Sequence, residues 1–222
     1  KKTTSDIYLG TWCGDTKKWV PRFVKLWESL GLSTDQLNFI ALYDDKERYK
    51  QGPNGEEKGK QIHRVPTFIF KKTGQEYARI VESPRTSLLT DLAQIALGYA
   101  STPNYEAATY MINLLENQNK EEIFKDINIY ANEAYRLVGK SSELNTLGYV
   151  LLRSGRVSDA LTVFQFNTYF YPYTPNVLDS FAEALMISGD KKTAITYYEK
   201  VLELDEENEN AKAQLELLKG KE

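Results

Sequence analysis

Along residues 1–100 the apolar positions change period repeatedly. Ile7, Tyr8 and Leu9 form a short apolar run of strand character. Trp19, Val20, Phe23, Val24, Trp27 and Leu30 then recur at helical spacing until Gly31 interrupts them. Leu37 to Tyr43 predicts a second strand, apolar enough to be buried on both faces. The polar segment 44–60, with Gly52-Pro53-Asn54-Gly55 inside it, reads as a solvated insertion with room for a short helix. Val65 to Phe70 and Ala78 to Val81 predict two more strands, and the turn signal Lys72-Thr73-Gly74 joins them as an antiparallel hairpin. Just after Pro84, Ser87 to Leu97 carries the pattern of an amphipathic helix.

Beyond the turn-rich patch Ser101-Thr102-Pro103-Asn104 the pattern is helical throughout. A shift of 34 residues pairs Leu147 with Phe181, Leu151 with Leu185, Gly155 with Gly189, Ala160 with Ala194 and Phe164 with Tyr198. Small residues at fixed places allow helices to approach, and large ones fill the gaps between them. This arrangement resembles tetratricopeptide repeats, which implies a concave surface for peptides or protein partners. The division predicted is a domain at 1–100, a helical connector or degenerate repeat at 101–140, and two repeats at 141–222 ending in a capping helix from Asn210 to Lys219. Phe164, Phe166, Tyr169, Phe170, Tyr171 and Tyr173 crowd one stretch, as core for the repeats or as a contact surface.

Composition mostly excludes. One cysteine, Cys13, rules out an intramolecular disulfide, and with His63 as the one histidine a Cys/His zinc site within the chain is not expected. Net charge is −3, and no Lys/Arg run suggests nucleic acid. No apolar stretch reaches the roughly 18 residues of a membrane helix. Charge is uneven: residues 1–100 hold 16 Lys/Arg against 12 Asp/Glu, net +4, and the remainder 12 against 19, net −7. That fits two domains that attract each other or two independently solvated surfaces. The chain starts Lys-Lys-Thr-Thr without Met, as a processed product would.

The order strand, helix, strand, connection, hairpin, helix carries specific residues. Trp12-Cys13-Gly14-Asp15-Thr16 falls at the first strand-to-helix turn, and Pro21 lies five residues past Thr16. Val65-Pro66-Thr67 precedes the hairpin, and Gly74 falls eight residues after Pro66. Together these resemble the thioredoxin family: its Trp-Cys-Gly-x-Cys motif, helix proline, cis-proline and glycine. The motif is also loosely similar to that of bacterial thioredoxin-like proteins with Trp-Cys-Gly-Asp-Ser/Thr. The fold class expected is therefore an α/β thioredoxin-like domain followed by an all-α tetratricopeptide domain.

The resemblance implies a catalytic role for Cys13, with Asp15 and Thr16 beside it, and a substrate groove at Trp12, Val65, Pro66 and Glu82. A thiol at a helix N-terminus meets unpaired N–H groups and the positive end of the dipole, which favours the nucleophilic thiolate. Thr16, in the resolving-cysteine place, could donate a hydrogen bond to that thiolate but cannot attack a mixed disulfide. Departures from the family pull the other way. Ile7 stands where many thioredoxins bury an aspartate, and the carboxylates of Asp15 and Glu82 would repel a thiolate. His63, three residues before Pro66, is a packing histidine or a neighbour of the site.

Two readings follow. In the first, Cys13 forms mixed disulfides with clients recruited by the repeats, as a monothiol oxidoreductase or isomerase that needs an external thiol reductant. In the second, the chain is a redox-inactive scaffold for protein partners. A hydrolytic site built on Asp15 and Glu82 lacks a nucleophile. No cofactor is implied, and family likeness favours a periplasmic or secreted location.

Overall fold

A computed structural model describes residues 3–220, and the chain divides into two compact units, Lys1–Glu106 and Ala107–Glu222. The first is built from β1 (Thr3–Leu9), α1 (Gly14–Ser29), β2 (Leu37–Ala41), β3 (Thr67–Lys72), β4 (Gln75–Val81) and α2 (Leu88–Leu97). The strands form one mixed sheet in the order β2-β1-β3-β4, with β1 parallel to β2 and β3 antiparallel to both β1 and β4.

Strand alternation sorts the side chains onto two faces. Ile7, Phe68 and Phe70 pack with Phe23 and Trp27 of α1 and Leu88, Leu92 and Ile95 of α2. Tyr8, Ile40 and Ile69 point the opposite way and meet Leu42, Ile62 and Val65, with Trp12 and Cys13 packed against them. Helices therefore cover one face, and the connection between β2 and β3 folds over the other.

Local signals explain most boundaries. Ser87 accepts the Thr90 N–H as the N-cap of α2, and Gly98 ends that helix in the left-handed region at φ 83°. Thr73 and Gly74, at φ 54° and 82°, make the two-residue turn between β3 and β4. Three sequence expectations need correction. The second strand stops at Ala41 and forms the sheet edge, so it is not buried on both faces; Phe39 is 48% exposed. Pro66 has no N–H for a ladder, and β3 begins only at Thr67. The segment 44–60 forms no regular helix and is not simply solvated: Lys50 and Gly52 are buried, and Tyr8 donates its hydroxyl to Glu56 O at 2.9 Å.

The second unit is helical: α3 (Glu106–Asn117), α4 (Lys120–Lys125), α5 (Ile127–Leu137), α6 (Ser141–Arg153), α7 (Val157–Phe170), α8 (Pro175–Ser188), α9 (Lys191–Leu204) and α10 (Glu209–Lys219). From α6 onward each helix packs on the next. The first helices of successive pairs start at Ser141, Pro175 and Glu209, each 34 residues after the last. The second helices, α7 and α9, hold the same offset at both ends. Burial repeats too: Ala160 and Ala194 are both fully buried, as are Phe164 and Tyr198, and Gly155 and Gly189 both turn through positive φ.

A carboxylate ties the front of this array together. Glu143 of α6, 3% exposed, accepts the Ala108 N–H of α3 at 3.1 Å and the Gly139 N–H at 3.2 Å. Glu143→Ala leaves the fully buried Ala108 N–H without its partner, and the expected loss is about 1–3 kcal/mol of stability in this unit. Helical melting followed by circular dichroism measures it; an unchanged melting temperature would show that the carboxylate does not hold α3.

Candidate functional site

Gly10 lets the chain leave β1 beneath Trp12, since a Cβ there would lie 2.4 Å from the indole. The indole is held by its N–H, which donates to Leu42 O at 3.2 Å, and its ring lies 6.3 Å from that of Tyr49. Cys13 then takes the N-cap of α1 in extended conformation (φ −80°, ψ 129°), and its carbonyl accepts the Lys17 N–H. Its half-buried thiol donates to Val65 O at 3.2 Å. The Val65–Pro66 peptide bond is cis, and Val65 and Pro66 are both buried.

Thr16 is not the partner of the sulfur. It is 6% exposed, and its hydroxyl oxygen accepts the Gly10 N–H at 3.4 Å, bracing the start of α1 against the end of β1. Asp15 lies in the first turn of α1, half-buried, where the helix dipole favours its charge. Ile7 is fully buried in the helix-side core, among Phe23 and Phe68.

Glu82 does not present a bare carboxylate. It sits at φ 63°, donates its N–H to Pro66 O at 2.7 Å, and pairs with Arg64 at 3.3 Å. Tyr105 donates its hydroxyl to the other carboxylate oxygen, and the Arg64 guanidinium lies 4.5 Å from the centre of the Tyr105 ring. The repulsion expected of Glu82 is thus offset by a cation held against it.

His63 is a packing histidine. It is 2% exposed, its Nδ1 lies 3.2 Å from Gln61 O, and its ring meets Tyr105 edge-on at 6.2 Å. Burial, with Lys50, Arg64 and Arg79 nearby, pushes its pKa down to about 3, so it stays neutral.

The polar pattern gave no sign of Lys50. Its side chain is buried, 4% exposed, with Nζ donating to His63 O at 3.1 Å and lying 4.5 Å from the Tyr49 ring centre. Burial first, then Arg64, pushes its pKa down to about 7, while Glu82, Cys13 and Asp44 pull it upward. Cys13, Trp12, Val65 and Pro66 are brought together, and Glu82 joins them through Pro66. Among the described residues no cluster of His, Cys, Asp and Glu could hold a metal ion, and no helix is long and apolar enough to cross a membrane.

No protein-family model matches the chain, and no curated protein matches it. Among solved structures, the crystal structure of the Sgt2 TPR domain from Aspergillus fumigatus is similar at 20% identity and a TM-score of 0.37, covering 54% of this chain and 81% of that one.

Proposed function

We propose that the first unit is a thioredoxin-like domain whose Cys13 forms transient mixed disulfides, and that the helical unit is a tetratricopeptide scaffold that recruits the protein partners. One observation carries the thiol reading: the Cys13 sulfur stands at the N-terminus of a 16-residue helix and within 3.2 Å of the carbonyl preceding Pro66. The sheet order β2-β1-β3-β4 and the placement of Trp12 support the same reading. The 34-residue frame of helix pairs supports the scaffold.

The chemistry is single-thiol exchange. Ionised Cys13 attacks one sulfur of a disulfide, a new S–S bond forms, and the second sulfur leaves as a thiolate with the bonding electron pair. The chain has one cysteine, so the adduct waits for an external thiolate or a second cysteine of the client to displace it. Thr16 contributes structure and no exchange.

Oxidised glutathione tests this directly. Intact mass is expected to show one glutathionyl adduct on the native chain, none on Cys13→Ser, and release by dithiothreitol. Formation about tenfold faster than on free cysteine at neutral pH is the signature of an activated thiol. A rate no faster than that of free cysteine sinks the redox reading and leaves the second, an inert scaffold.

A further inference from the structure

We propose that Lys50 is a positioning and counter-charge residue of the Cys13 site, fixing the segment that holds the sulfur and balancing the sulfur's negative charge when it forms. The inference rests on the thiol reading above and extends it to a residue outside the motif.

Two hydrogen bonds converge on one short segment. Lys50 Nζ donates to His63 O at 3.1 Å, and two residues further on Cys13 Sγ donates to Val65 O at 3.2 Å. The amine and the thiol thus hold the same short strap, at carbonyls two residues apart. The main chain that carries Lys50 is anchored in turn: its N–H donates to Tyr43 O at 2.9 Å and the Tyr43 N–H donates to Gln51 O at 3.0 Å.

The backbone around it is held in a conformation that side-chain-bearing residues rarely adopt. Five non-glycine residues have positive φ among the described residues; Thr73 belongs to the hairpin turn, and the other four are Lys50, Gln61, Glu82 and Tyr105. Gln61 O contacts His63, while Glu82 and Tyr105 form the cluster around Arg64. Such conformations are strained and persist where surrounding structure over-determines them.

Burying an ammonium is costly, and a methionine would fill the space without the charge. The charged groups that act on Lys50 are Arg64, which opposes its proton, and Glu82, Cys13 and Asp44, which favour it; His63 is neutral and offers its carbonyl. Neighbouring Tyr49 registers the same four charged groups. Arg64 and Glu82 pair with each other, which leaves the sulfur and Asp44 as the partner charges that act on Lys50. When the sulfur ionises it favours protonated Lys50, and by reciprocity protonated Lys50 favours the ionised sulfur.

Iodoacetamide, which is uncharged, reports the ionised sulfur through its alkylation rate. At pH 6.5 Lys50→Met is expected to alkylate about tenfold more slowly than the native chain, to match it at pH 9.5, and to be rescued by Lys50→Arg. Superimposable profiles for the native chain and Lys50→Met overturn the proposal. Should the variants fail to fold, the Lys50 Cε resonance of the native chain and of Cys13→Ser decides. Its titration step should move to lower pH when the sulfur is absent, and an unmoved step overturns the proposal. Lys50-dependent alkylation without any glutathionyl adduct supports Lys50 and defeats only the mixed-disulfide reading. Adduct formation indifferent to Lys50 defeats only this inference.

Discussion

Between pH 7 and pH 9.5 the first unit is expected to gain about 3 kcal/mol of stability, and Lys50→Met is expected to abolish that gain. Burial holds the Lys50 pKa near 7 in the folded chain, against an ordinary 10.5 when unfolded. Across that window the unfolded chain binds one more proton than the folded one, so unfolding becomes harder as pH rises, by about 1.4 kcal/mol per unit. The contribution is complete above the unfolded value and is lost as pH falls towards the folded one.

The shifted pKa values of His63 and Tyr8 act outside this window. His63, lowered to about 3, acts only between that value and 6.5, where it weakens the fold as the medium becomes acidic. Tyr8, raised to about 12 by burial, opposes folding only above the ordinary tyrosine range, near 10. Trp12, Trp19 and Trp27 all lie in the first unit, so tryptophan fluorescence in urea reads it alone. A native chain whose midpoint does not move between pH 7 and 9.5 would show that Lys50 keeps its proton in the fold, and the expected gain would be absent.

What the sequence made legible was local. The spacing from Trp12 to Thr16 and the Val65-Pro66 step sit at a strand end, a helix start and a strand entry, features that each span only a few residues. The 34-residue frame was equally visible, because every helix pair repeats the same packing problem with the same sizes of side chain. What was hidden depends on distant chain. Leu37 to Ala41 reads as a buried strand by its composition, yet its place at the sheet edge is decided by how β3 inserts beside β1. Glu82 looked like a second charge on the sulfur because Arg64 and Tyr105, which accompany it, are 18 and 23 residues away. Lys50 is one of several charged residues in a polar run, and nothing local distinguishes the one that the 42–66 connection folds inward. Motif register assigns Thr16 to the sulfur, whereas its hydroxyl answers to Gly10, the residue that follows β1.

In the helical unit, Gly148 and Phe164 are expected to behave as one packing unit. A Cβ on Gly148 would lie 2.5 Å from Phe164 Cε1 and 2.6 Å from Cζ, closer than real Cβ contacts come. The ring has little room to yield. Phe164 is fully buried and meets Tyr149 edge-on at 5.3 Å; the Tyr149 hydroxyl is in turn held at 2.8 Å by Glu183 and at 3.2 Å by Ser180. Alanine would ordinarily improve a helix interior by about 1 kcal/mol over glycine. Here overpacking should outweigh that gain, so Gly148→Ala is expected to lose about 1–2 kcal/mol and Gly148→Val about 3 kcal/mol or more. Phe164→Leu alone should lose about 1–2 kcal/mol through the smaller side chain. Combined with Gly148→Ala, however, it removes the ring atoms that the new methyl meets, and the double variant should be more stable than the sum of the singles by about 1–2 kcal/mol. Thermal melting at 222 nm reads the effect, on the order of 5 °C for each kcal/mol in a unit of this size, with tryptophan fluorescence of the first unit as the unchanged reference. Strict additivity, or a Gly148→Ala chain that melts higher than the native one, would show that the ring can move aside. The glycine would then not be required by the contact between α6 and α7.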